Sequence, residues 1–159
     1  MNPLRLLCTP VALLCLSLPM AATAAMPTHP KLHVATLDGK TFDLAAQRGH
    51  WVIVNFWATW CAPCIKEMPD ISHFVASHKN VRAIGLAYQD NDVAEIKAFL
   101  REHPVDYPIA KVGMDEALPD FEAPQGLPTT WVIDPAGKVA AHIVGPLTPA
   151  KLAAVIGGK

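Results

Sequence analysis

The tightest constraint on this chain is a single continuous run. Trp51-Val52-Ile53-Val54-Asn55-Phe56 is nearly all apolar and β-branched or aromatic, Trp57 to Trp60 follow, and Cys61-Ala62-Pro63-Cys64 comes next. From Cys64 onward Met68, Ile71, Phe74 and Val75 recur at spacings of three and four, a helical stripe running to about His78 and stopping at Asn80. The first segment reads as a strand covered on both faces, hence a central strand. The second reads as the helix it feeds, with a kink expected at Pro69. Two thiols with two residues between them therefore sit where a central strand hands over to a helix, which is where open sheets place their chemistry. At that position they can close a disulfide within the first turn. The unpaired N–H groups of the helix start favour a thiolate on Cys61, the expected nucleophile, while apolar packing one turn deeper keeps Cys64 protonated until it resolves a mixed disulfide.

The rest of the pattern fills in a layered α/β fold. Leu32 to Thr36 and Thr41 to Leu44 flank Asp38-Gly39, a hairpin-turn signal. Val81 to Ala87 is a second apolar strand. Asp92 and Glu95 have capping-box spacing ahead of Val93, Ile96, Phe99 and Leu100, and Pro104 ends that helix. Tyr107 to Val112 reads as extended, and Asp115 to Ala123 carries a weak helical pattern broken by Pro119. Thr129 to Ile133 and Lys138 to Val144 form a hairpin across Asp134-Pro135-Ala136-Gly137, whose residues suit a type I turn. Thr148, Pro149 and Gly157-Gly158 bound a last short helix.

The N-terminus reads as an address. Arg5 is the first charge, Leu6 to Thr28 holds none, and Ala22-Thr23-Ala24 supplies a small-residue cleavage site, the pattern of a secretory signal. An uncleaved membrane anchor is the alternative, given the length of the uncharged run. Cleavage after Ala24 leaves about 135 of the 159 residues, enough for one domain with its own core. Cys8 and Cys15 leave with the signal. Losing Arg5 takes the basic residues from 13 to 12 against 14 acidic ones, so the mature charge is near −2. That balance excludes an electrostatic footprint for nucleic acid or anionic membrane. The expected organisation is a signal over 1–24, a lead-in over 25–30 and one domain over 31–159, acting as a monomer.

Other chemistries for the cysteine pair fare poorly. A structural zinc would need two more ligands, and His73 and His78 fall on different sides of one helix. A purely structural disulfide closing so small a loop removes little chain entropy. No metal or cofactor motif is present. Glu67 lies, on a helical wheel, within the arc of Cys64, Met68, Ile71 and Phe74. Either its carboxyl is buried, with a raised pKa suited to proton exchange with the neighbouring thiol, or its stem bends to solvent. His142, on a late strand, reads as a packed or surface residue. Trp57 and Trp60 read as packing and site-wall residues, both able to contact the substrate.

Val54-Asn55-Phe56-Trp57-Ala58-Thr59-Trp60-Cys61-Ala62-Pro63-Cys64, followed by Glu67, Pro69 and Gly126-Leu127-Pro128-Thr129-Thr130, resembles the TlpA/ResA family of secreted bacterial thioredoxin-like proteins. The likeness spans roughly Leu32 to Ile156. It implies a thioredoxin fold: a central mixed sheet flanked by helices, with an N-terminal β-hairpin and a βα-type insertion after the second core strand, here Val93 to Val112. It implies that Pro128 is a cis-proline facing the cysteine pair, with Leu127 presenting backbone to a substrate strand; an X-Pro bond opening a strand suits that role. It also favours the buried reading of Glu67, since the family has a glutamate at this spacing acting on the cysteines. Asn55 departs from ordinary thioredoxins, which carry a buried acid there, and an amide cannot take a proton.

The resemblance further implies a reductant of protein disulfides, for example on apocytochrome c, recharged by a membrane thiol carrier, with Trp60, Ala62, Pro63 and Leu127 touching the substrate. Ala62-Pro63 is closer to the Gly-Pro of reducing thioredoxins than to the Pro-His of strong oxidants. A thiol peroxidase would want T-x-x-C, whereas only Trp60 separates Thr59 from Cys61. A copper-handling binding protein using both thiols as soft ligands is the non-enzymatic alternative.

Overall fold

The computed structural model describes residues 27–157. The expected signal segment and its cleavage site lie outside the described residues. Ten elements follow in order: β1 (His33–Ala35), β2 (Thr41–Asp43), β3 (Trp51–Trp57), α1 (Ala62–Ser77), β4 (Val81–Tyr88), α2 (Val93–Glu102), β5 (Ile109–Val112), β6 (Thr129–Ile133), β7 (Val139–Val144) and α3 (Pro149–Gly157). One 3-10 turn, Ala45–Gln47, links β2 to β3.

β3 is central, as its composition requires. The main sheet has the order β5-β4-β3-β6-β7, with β3, β4 and β5 parallel and β6 and β7 antiparallel to their neighbours. All seven residues of β3 are buried. Their alternation builds two cores. Ile53 and Trp57 join Met68, Ile71 and Phe74 of α1, Ile96 of α2 and Leu152 of α3 on one face. Val52, Val54 and Phe56 meet Val34 and Phe42 of the β1–β2 hairpin and Phe121 on the other. The residue just past the hairpin's first strand also covers the sheet edge: Leu37 N donates to Ile109 O at 2.7 Å and Thr36 bridges to Ala110, so β5 does not end as an open template.

The insertion after the second core strand is α2 with β5, which adds a parallel edge strand beside β4. α1 continues as helix through Pro69. Two local expectations need correction. Residues 115–123 are not a helix but separate turns, closed by Glu116 N to Gly113 O and Phe121 N to Leu118 O. Pro119 removes a donor within the stretch, and burying Phe121 against Phe56 and Trp131 needs one anchor side chain rather than a helical face. Only half of the capping box forms: Asp92 Oδ1 accepts from Ala94 N at 3.0 Å, while Glu95 accepts from the Asn91 side chain instead of reaching back to the cap.

The loop into β6 and the hairpin beyond it follow turn chemistry. Gly137 N donates to Asp134 O and Lys138 N to Asp134 Oδ1, with Gly137 at φ 83°, a region only glycine enters without strain. Gly85, in the middle of β4, pairs with Asn55 in the sheet register. A Cβ there would come within 2.5 Å of Ile109 and 3.0 Å of Trp57 Nε1, so the missing side chain lets these two pack against the strand.

Candidate redox site

Cys61 is the N-cap of α1 and Cys64 lies in its first turn; the two are joined as a disulfide. Cys61 Sγ accepts from Cys64 N at 3.3 Å, so the helix start already aims a backbone donor at the first sulfur. Pro63 in the first turn costs no hydrogen bond, because its N–H would have been unpaired there. Cys61 is 5% exposed and Cys64 0%. The approach side is apolar: Trp60 is 63% exposed, Ala62 and Pro63 are exposed, and Leu127 is half-buried against the core that holds both cysteines. The Leu127–Pro128 peptide is cis, and Pro128 leads directly into β6.

Glu67 is one turn along from Cys64 on the same face of α1 and is 3% exposed, so its stem does not bend to solvent. Its two oxygens are shared between two elements. Asn55 Nδ2 donates to Oε1 at 2.8 Å, and Leu147 N, between β7 and α3, donates to Oε2 at 2.6 Å. Burial pushes the carboxyl up to about 7, against the opposing pull of the Leu147 and Asn55 hydrogen bonds and of the Lys151 charge; Asp70 adds to the rise. A carboxyl poised there can hold or release a proton near neutral pH.

Four further residues were not singled out by sequence reasoning. Gln89 is 1% exposed and its Oε1 accepts from Thr59 N at 2.7 Å and Thr59 Oγ1 at 3.1 Å, tying the turn before Cys61 to the end of β4. Thr130, opposite Asn55 in the β3–β6 register, accepts a second hydrogen bond from Asn55 Nδ2 at 3.0 Å. Tyr107, just before β5, is buried with its hydroxyl unpartnered, and burial together with the Glu67 charge holds that hydroxyl un-ionised. Val144, 61% exposed, pairs with Thr129, the residue after Pro128, and leaves an apolar side chain open to solvent there. A hairpin register could have found Val144; the other three come together only through tertiary packing.

The remaining sequence candidates settle elsewhere. His142 stacks on Trp131 at 3.7 Å between ring centres, a packing role. His78 caps α1 and stacks on Phe74, with its Nδ1 2.8 Å from Phe74 O. Trp57, expected to be able to touch substrate, is wholly buried in the core with its Nε1 unpartnered, so that contact falls to Trp60 alone. Among the described residues no group of three or more His, Cys, Asp or Glu side chains is placed to hold a metal ion.

The raised carboxyl has a stability consequence with a definite sign. Because folding favours the protonated form of Glu67, its contribution is complete below pH 4.5 and is lost as pH rises through about 7. In the oxidised protein the unfolding free energy should fall by on the order of 2 kcal/mol across that window, allowing for solvent screening. Asp38, held down to about 2 by hydrogen bonds from Thr36 and Lys40, titrates below it. Urea unfolding at pH 5, 6, 7 and 8 measures the slope. Glu67→Gln should flatten it; an equal slope in the variant would assign it to other groups.

Comparison with known proteins agrees with this geometry. The model of the AhpC/TSA family matches residues 27–142. The chain is 34% identical over 125 residues to the thiol-disulfide oxidoreductase ResA of Bacillus thuringiensis (strain Al Hakam), covering 77% of this chain and 71% of that one. It is 31% identical over 128 residues to ResA of Geobacillus thermodenitrificans, covering 80% and 73%. Among solved structures it superposes on a thiol:disulfide interchange protein of the thioredoxin family from Chlorobium tepidum with a TM-score of 0.71, at 29% identity over 86% of this chain and 98% of that one. MTB dsbF gives 0.71 at 26% identity over 84% and 98%. With its cysteine pair at the start of α1 on a thioredoxin-type sheet, the chain belongs to the AhpC/TSA family and, within it, to the ResA/TlpA-like thiol–disulfide oxidoreductases.

Proposed function

We propose that this protein reduces protein disulfides outside the cytoplasm, with Cys61 attacking, Cys64 resolving and Glu67 carrying the proton. The observation that carries the reading is the asymmetry of the pair. Cys61 caps α1 behind an apolar, partly exposed rim, whereas Cys64 is sealed one turn inside beside a buried carboxyl.

The chemistry balances as two displacements. In the dithiol form the Cys61 thiolate attacks one sulfur of a substrate disulfide; that S–S bond breaks and the other substrate sulfur leaves as a thiolate, which takes up a proton. Cys64 then gives its proton to the Glu67 carboxylate and attacks Cys61 Sγ. The mixed disulfide breaks, the Cys61–Cys64 disulfide forms, and the second substrate sulfur leaves as a thiolate that takes up the proton Glu67 received. Two electrons have passed to the substrate. The compartment supplies no NADPH, so a membrane thiol carrier returns the pair to the dithiol.

Trp60, Ala62 and Pro63 support a docking role through their exposure beside Cys61, Leu127 through its packing on the core that holds both cysteines, and Pro128 through its place at the head of β6. A protein presented as an extended segment can lay its backbone beside Leu127. The secretory pattern of residues 1–24 supports export to the periplasm, and no helix among the described residues is long and apolar enough to cross a membrane. Apocytochrome c, whose paired cysteines must be reduced before haem is attached, is the substrate class that the TlpA/ResA resemblance favours. The peroxidase alternative loses ground because the Thr59 hydroxyl is engaged by Gln89.

In the reduced protein at neutral pH, iodoacetamide should label Cys61 at least tenfold faster than Cys64, read by peptide mass spectrometry; equal or faster labelling of Cys64 reverses the assignment. Equilibration with glutathione buffers should give a potential of roughly −220 to −280 mV, and a value above about −170 mV would make the protein an oxidant or isomerase.

A further inference from the structure

Asn55 is fully buried in a strand whose other members are all apolar. Both protons of its Nδ2 are committed, one to Glu67 Oε1 at 2.8 Å and one to Thr130 Oγ1 at 3.0 Å, while its Oδ1 is buried and accepts nothing. This orientation fits a carboxylate, which only accepts. It does not fit the acid. Glu67 Oε2 faces the Leu147 N–H, itself a donor, so a proton on Glu67 belongs on Oε1, where it would meet the Asn55 N–H head on.

Turning the amide by half a rotation removes the conflict. Oδ1 then lies between Glu67 and Thr130 and accepts from the acid O–H, and the Thr130 hydroxyl, which can do either, changes from acceptor to donor. Nδ2 takes the place that Oδ1 left, so the unpaired end of the amide changes from its carbonyl oxygen to its NH2. We propose that Asn55 and Thr130 form a two-position hydrogen-bond switch that follows the proton on Glu67, with Asn55 as a positioning residue for that proton. The inference deepens the reading of Glu67 as proton carrier and rests on it.

Residue chemistry at position 55 explains why an amide serves. A carboxylate there would place two acids within hydrogen-bond distance and couple their titrations. An aliphatic side chain would leave Glu67 Oε1 buried and unpaired in both states. The other groups facing Glu67 bias its proton without responding in this way: Lys151 of α3 favours the charged form and Asp70 of α1 opposes it. Tyr107, ahead of β5, stays un-ionised, and the Cys61–Cys64 disulfide of the oxidised protein carries no charge.

The test uses the oxidised protein, in which no thiol titrates. The 13C shift of the Glu67 carboxyl and the 1H and 15N shifts of the Asn55 side-chain amide are followed by NMR from pH 5 to 9. The proposal expects both residues to move with one midpoint. It also expects Glu67→Gln, whose N–H stands in for the acid O–H, to hold the Asn55 amide in its low-pH pattern throughout. Glu67 titrating while Asn55 stays still, or Glu67→Gln keeping the high-pH pattern, overturns it. Exchange kinetics are not read here: a Glu67→Gln protein with unchanged disulfide exchange would remove Glu67 as proton carrier and leave the Asn55 result intact.

Discussion

The site depends on keeping one carboxyl group out of water without leaving it unpaired. Desolvating a carboxylate costs several kcal/mol even after relaxation, and hydrogen bonds to a charged group return about 1.5–3 kcal/mol each. Glu67 receives two, from the Asn55 side chain and the Leu147 backbone, so they offset part of the desolvation, and the remaining rise to about 7 leaves the proton easy to move near neutrality. Neither contribution alone would give that result. A more solvated glutamate would stay ionised, and a buried one without donors would stay protonated.

The same two hydrogen bonds organise the fold around the cysteines. Asn55 joins α1 to the central strand and Leu147 joins α1 to the segment entering α3, so the helix that carries Cys64 is fastened on both sides one turn below the disulfide. Gln89 fastens the turn above it through Thr59. Gly85 opposite Asn55 lets Ile109, Trp57 and Tyr107 pack where a side chain would stand. The redox pair thus rests on a rigid strand–helix junction, while the residues offered to a partner, Trp60, Ala62 and Pro63, are exposed beside it.

Much of this was legible in the chain because the decisive signals are local. The apolar run of β3, the three-and-four spacing of α1, the hairpin at Asp134–Gly137 and the cysteines at the helix start each lie within a few residues of one another. Glu67 was legible as a carboxylate inside an apolar arc, although the wheel could not choose between burial and a stem bent to solvent. The partners that decide the question are 12 and 80 residues away, in Asn55 and Leu147. Periodicity carries no information on such pairings. Residues 115–123 misled for a related reason: a weak local helical pattern yielded to Pro119 and to a single buried anchor, Phe121.

The central claim is that the buried Glu67 proton takes part in disulfide exchange. The direct measurement is the pH profile of single-turnover reduction of a peptide disulfide by the pre-reduced protein, for wild type and Glu67→Gln, with circular dichroism confirming the fold of both. The account predicts a Glu67→Gln rate lower by about tenfold to a hundredfold near neutral pH, the range one positioned acid–base group supplies, and loss of the inflection near 7. Superimposable profiles would contradict it and leave Glu67 as a structural tie between α1, β3 and the α3 entry.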